Sequence, residues 1–79
     1  MAHERLRLHG QVGAPGFSGW ILGHARRLGL DCAVIETGTA CVTAVLTGPP
    51  DLLDAMALGC SLGPMDVWVE TITREAVAP

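Results

Sequence analysis

Lysine is absent from this sequence of 79 residues, and all five basic residues are arginine. A Walker P-loop grips nucleotide phosphates with a lysine, and Schiff-base catalysis needs a lysine amine, so both classes of site are excluded. Eight acidic residues bring the formal net charge to −3. An acidic chain has little attraction for a phosphate backbone, and we therefore expect no nucleic-acid partner.

Cysteine is also scarce, and the three that occur are far apart. Cys32, Cys41 and Cys60 form no C-x-x-C pair, so a zinc knuckle and a thioredoxin-type motif are excluded. An odd number of cysteines at wide spacing does not favour a disulfide framework. We expect reduced thiols and no metal site.

Long apolar runs are missing as well. The longest stretch without an acid or an arginine, residues 8–25, contains five glycines, one proline and two histidines, and no membrane span has that composition. The amino terminus alternates polar and apolar residues and lacks the apolar region of a signal peptide. We expect no membrane partner and a cytoplasmic location.

The length and the hydrophobic content of the chain predict one small folded domain, residues 1–79. Hydrophobic residues make up 49% of the chain, which is ample for a core and too high for disorder. Apolar alternation predicts strands, and apolar residues that recur every three or four positions predict helices. In the last strand, Val67 and Val69 compete with Trp68 and Ile72 for the inward-facing positions. In chain order the pattern predicts a strand at 5–12, a helix at 17–28, strands at 31–35 and 40–47, a helix at 50–62 and a strand at 66–73.

The order βαββαβ is that of the ferredoxin-like (split βαβ) sandwich, an α+β fold with two helices on one face of an antiparallel sheet. Many functions share this fold, so sites must discriminate among them. RNA-recognition domains stack bases on aromatic residues of the central strands, and the strands at 5–12 and 40–47 contain none. A metal chaperone of this topology needs paired cysteines in its first loop, where this chain has no cysteine.

The first loop reads H-G-Q-V-G-A-P-G-F-S, and the helix that follows it ends A-R-R-L-G-L. These segments resemble the acylphosphatase family, whose members carry a glycine-rich V-x-G-V-G-F-R segment and a helix ending A-x-x-L-G-L. Val12, Gly16 and Phe17 match the loop without gaps, and Gly48-Pro49 matches a later G-P segment. The resemblance covers about residues 5–72, and the loop with the helix end is its most specific part.

The resemblance implies hydrolysis of the carboxyl–phosphate bond of acyl phosphates, with neither a metal nor a cofactor. It implies that backbone N–H groups of the loop hold the phosphate at a helix N-terminus. An arginine directly after the phenylalanine would grip the phosphate with two hydrogen bonds, and an asparagine at the end of the second strand would orient the attacking water. The phosphate-binding loop is then made of Gly13, Ala14, Gly16, Phe17 and Ser18.

Both catalytic side chains of the family are replaced in this sequence. Ser18 stands at the arginine position and Glu36 at the asparagine position. Ala14 and Pro15 replace the glycine and the valine that precede the matching Gly16, and proline removes one N–H donor. A Glu36 carboxylate facing a phosphate about 4 Å away would add repulsion of ~4 kcal/mol. We therefore expect acylphosphatase activity to be absent or very weak.

The leading hypothesis is a small binding or interaction module that takes a phosphate-like anion or an acyl phosphate. One alternative is a hydrolase that still works through the loop amides and an arginine supplied from elsewhere. Another is a structural, dimerising domain, because the sheet face with Cys41, Thr43 and Val45 is expected to be apolar and able to pair with a second copy. The simplest structural roles make Ser18 a helix cap and Glu36 a solvated turn residue.

Overall fold

A computed structural model describes residues 1–78, which form six elements in the predicted order. The elements are β1 (Ala2–Gln11), α1 (Phe17–Leu28), β2 (Asp31–Thr37), β3 (Cys41–Gly48), α2 (Pro50–Leu62) and β4 (Trp68–Ala76). The strands make one antiparallel sheet in the order β2-β3-β1-β4. The predicted fold class, a ferredoxin-like α+β sandwich, is confirmed.

The hydrophobic core lies between one face of the sheet and the two helices. Alternation along the central strands turns Leu6 and Leu8 of β1 and Ala44 of β3 inward, and each is at most 1% exposed. The helices bury Phe17, Ile21 and Ala25 from α1 and Leu53, Met56 and Cys60 from α2.

Within residues 1–78, neither helix is long and apolar enough to cross a membrane.

β1 and β4 each extend further at one end than the apolar pattern predicts. β1 begins at Ala2 rather than at residue 5, because Ala2 pairs with Gly48 at the end of β3. β4 runs to Ala76, which lies opposite Glu4. Backbone pairing continues there through residues that contribute little to the core, so hydrophobic alternation alone underestimates the length of these strands.

A bulge in the pairing of β1 with β4 determines which residues of β4 face the core. The register shifts between His9 and Gly10, and Glu70 is left as the extra residue. An extra residue reverses the alternation of the strand. Val69 and Ile72 consequently both pack against the core, although they are three positions apart.

The sheet face away from the helices is polar, which corrects the expectation of an apolar face. Arg5 donates to Glu75 at 2.6 Å, and the Thr43 hydroxyl donates to Glu36 at 2.9 Å. Arg7 lies opposite Thr43 in the β1–β3 pair. Over the described strands, charged and hydroxyl groups therefore interrupt the surface that was expected to pair with a second copy.

Candidate functional site

The loop between β1 and α1, residues 12–16, is held against the turn that follows β2. The Val12 amide donates to the Thr39 carbonyl at 3.2 Å. Gly13 passes so close to this turn that a Cβ on it would lie 3.0 Å from the Thr39 Cα. Gly16 is the N-cap of α1 and has a φ of 88°, a left-handed conformation that glycine adopts without strain. These contacts set the path of the loop across the N-terminus of α1.

The loop and the first turn of α1 present backbone N–H groups that have no partner. Among the described residues, the amides of Gly13, Ala14, Gly16 and Ser18 donate to no protein acceptor. Pro15 has no N–H to offer. The first amides of a helix are unsatisfied and the helix dipole is positive there, so such a place favours an anion.

A cavity of about 340 Å³ opens at this end of α1. Residues 12–18 line one side, and Thr37, Gly38, Thr39 and Val42 line the other. None of these lining residues is ionisable, and the polar side chains among them are three hydroxyls. A ligand in the cavity would meet amides and hydroxyls and no charged side chain of these residues.

Ser18 is the second residue of α1 and lines this cavity. The structure brings it together with the other predicted loop residues, Gly13, Ala14, Gly16 and Phe17. Its side chain does not cap the helix, because the cap position is Gly16 and carries no side-chain bond. The hydroxyl of this half-buried residue thus lies at the cavity wall, where the family resemblance places an arginine.

Glu36 does not line the cavity, and this differs from the expectation that its carboxylate faces the loop. The β2–β3 register shifts between Val34 and Glu36, so that Val34 lies opposite Ala44 while Glu36 lies opposite Thr43. Directly opposed residues share one face of a sheet, and the bulge therefore turns Glu36 to the polar face. There it accepts the Thr43 hydroxyl and borders a separate depression beside the β1 arginines.

Thr37 is one of the cavity residues that the sequence did not indicate, together with Gly38, Thr39 and Val42. It lies opposite Val42, which is buried in the core, so it shares the inward side of the sheet. Regular alternation from Cys32 and Val34 would have put Glu36 on that side, and the bulge exchanges the two positions. Nothing in the segment I-E-T marks a bulge, because it contains no glycine or proline.

An aromatic stack runs along α1 from the cavity towards α2. The ring centroids of Phe17 and Trp20 are 5.9 Å apart, and those of Trp20 and His24 are 5.3 Å apart. The Nε2 atom of His24 is buried without a partner among the described residues, and it abuts Gly59, where a Cβ would overlap it. Burial and the Arg27 guanidinium lower the pKa of His24 below its ordinary value.

We expect this histidine to make the stability of the fold pH-dependent. Because the pKa of His24 is lowered by folding, the folded state binds fewer protons than the unfolded chain. The free energy of unfolding should therefore fall as pH drops below about 6.5, the ordinary histidine value. Urea unfolding at pH 7.5 and pH 5 would measure the loss. His24→Gln should reduce it, whereas identical losses in both proteins would contradict the assignment to His24.

None of the three cysteines lines the cavity. All three cysteines are free. Burial raises the pKa of Cys32, and burial together with the neighbouring Cys32 raises the pKa of Cys60 to about 12. These two thiols stay protonated at neutral pH and are poor nucleophiles. Within residues 1–78, no three histidine, cysteine or acidic side chains lie together as a metal site.

The fold and the cavity define a class of small βαββαβ domains in which a glycine-containing loop crosses the N-terminus of the first helix beside the end of the second strand. No protein-family model matches this sequence. A curated acylphosphatase of Azorhizobium caulinodans is 36% identical over an alignment of 79 positions that covers 99% of this chain and 84% of that protein. This chain belongs to the acylphosphatase family.

Solved structures share the fold. An acylphosphatase from Bacillus subtilis superposes with a TM-score of 0.89 at 20% identity, covering 100% of this chain and 88% of that one. An acylphosphatase from Coxiella burnetii superposes with a TM-score of 0.89 at 19% identity, covering 98% and 81%. At such identities the likeness shows the fold alone.

Proposed function

We propose that this chain is a member of the acylphosphatase family in which hydrolysis is absent or very weak, and that it binds a small oxyanion such as phosphate or an acyl phosphate. The proposal rests on one observation: the cavity lining holds no cation, and Ser18 stands where the family resemblance places an arginine. The unpaired amides of Gly13, Ala14 and Gly16 still offer donors to an anion. Such a site can hold an anion through its amides. It lacks the positive charge that would stabilise a phosphoryl group during its transfer to water.

The size of the expected loss follows from the missing side chain. An arginine makes two charge-assisted hydrogen bonds to a phosphate, each of ~1.5–3 kcal/mol. Losing both corresponds to about 10²- to 10⁴-fold in rate. None of the chain's five arginines lines the cavity. Arg5 is paired with Glu75, and Arg74 is paired with Glu4 and Asp54.

Hydrolysis of acetyl phosphate tests the proposal. We expect kcat/KM about 10²- to 10⁴-fold below that of the Azorhizobium caulinodans relative, assayed side by side as the positive control. Release of phosphate is the measurement, with the uncatalysed rate subtracted. Turnover within about tenfold of the relative would overturn the proposal and favour the alternative, a hydrolase that works through the loop amides.

We also infer a cytoplasmic location and no nucleic-acid partner. The support for the location is that all three cysteines are free in the described fold, as is usual in a reducing compartment. The net charge of −3 supports the second inference. Fractionation of cells that express the tagged chain would test the location.

A further inference from the structure

We propose that Thr37 is the strand residue that contacts the bound oxyanion and thereby sets the specificity of the cavity. The inference rests on the proposed function, because it concerns the same cavity. The position that aligns with the family's asparagine is Glu36, yet the bulge in β2 turns that side chain to the polar face. Thr37 is the β2 residue that the structure places in the cavity lining.

The surroundings of Thr37 leave its side chain available. It is exposed, and its hydroxyl forms no hydrogen bond with the described part of the chain. Thr39, the other threonine of the cavity, is held against the loop by its carbonyl, which accepts the Val12 amide, and by its methyl group, which packs beside Gly13. Thr37 differs from Thr39 in belonging to β2, where its pairing with Val42 holds it on the inward side of the sheet.

The chemistry of a hydroxyl differs from that of the family's arginine. An arginine only donates hydrogen bonds, whereas a threonine hydroxyl donates one and also accepts. An oxyanion held by the amides of Gly13, Ala14 and Gly16 can accept from Thr37 across the cavity. A protonated ligand oxygen or a water can donate to it. Because the hydroxyl is neutral, it adds a directional contact without adding charge.

Binding of inorganic phosphate to the ¹⁵N-labelled protein provides the test. Shifts of the Gly13, Ala14 and Gly16 amide resonances would give Kd for the wild type, Thr37→Val, Thr37→Ser and Glu36→Gln. We expect Thr37→Val to raise Kd about tenfold, the equivalent of one hydrogen bond. Thr37→Ser, which restores the hydroxyl, and Glu36→Gln, which lies outside the cavity, should stay within about twofold of the wild type.

Several outcomes would overturn the inference. One is a Kd for Thr37→Val within about twofold of the wild type; another is a larger effect from Glu36→Gln than from Thr37→Val. A third is the absence of any loop shift at about 100 mM phosphate in both the wild type and Ser18→Arg. Urea unfolding checks that each variant is folded, and Thr37→Ala replaces the valine variant if that one is not. Fast acetyl phosphate turnover would overturn the proposed function while leaving this comparison of Kd values intact.

Discussion

Ser18→Arg should bind inorganic phosphate about a hundredfold more tightly than the wild type. Two charge-assisted hydrogen bonds would contribute ~3–6 kcal/mol, and ordering the long side chain would cost ~2 kcal/mol. Ser18 lies at the cavity wall in the first turn of α1, next to unpaired amides. An arginine there can extend over the same anion. Titration calorimetry with phosphate would measure the change in Kd.

Two control variants separate the geometry from the added charge. Ser18→Lys adds the same charge without the planar pair of donors, and its gain should be smaller than that of the arginine. Ser61→Arg places an arginine on the exposed end of α2, away from the cavity, and should leave Kd within about twofold. Equal affinities for Ser18→Arg and the wild type would show that residue 18 is not the position of the family's arginine.

Gly10→Ala should destabilise the fold by ~3 kcal/mol or more. Gly10 has a φ of 145°, which side-chain-bearing residues rarely adopt. A Cβ there would overlap the Trp68 carbonyl oxygen and would lie 2.8 Å from the Glu70 nitrogen. Both atoms belong to the backbone of β4, so relief requires the β1–β4 pairing to shift. The free energy of unfolding, from urea denaturation followed by circular dichroism, measures the loss.

The same chain offers a matched glycine as the control. Gly23 lies inside α1, and a Cβ on it would meet no atom within 4 Å. Gly23→Ala should leave the fold intact and stabilise it by ~0.5–1 kcal/mol, because glycine is unfavourable in a helix interior. If Gly10→Ala were as stable as the wild type, the bulge would tolerate a side chain and the register of β4 would be in question.

Hydrophobic periodicity was sufficient to predict the fold. Leu6 and Leu8 alternate, and Phe17, Ile21 and Ala25 recur at helical spacing; all five are buried as those periods require. The regular elements are predictable because their side-chain directions follow from the secondary structure alone. The loop of the candidate site was predictable too, since its glycines and the helix that follows are local features of the sequence.

The two bulges were not predictable, and they decide which side chains of β2 and β4 face the helices. Glu36 and Thr37 exchange faces at one of them, and Val69 and Ile72 share a face because of the other. A bulge is a property of two paired strands, so it depends on a partner that is distant in sequence. In a strand, an error of one position moves a side chain to the opposite face of the sheet.

The aromatic stack along α1 contains Trp20, so the intrinsic tryptophan fluorescence of the protein should report on the surroundings of this helix. The chain has two tryptophans and no tyrosine, so its emission comes from few sources. Trp68 is 67% exposed and can be replaced by phenylalanine. The remaining emission would then come from Trp20, whose indole is stacked between Phe17 at the cavity wall and His24 at α2. We therefore expect the emission of Trp20 to change when His24 is protonated, and to change on addition of phosphate if the proposed site binds it.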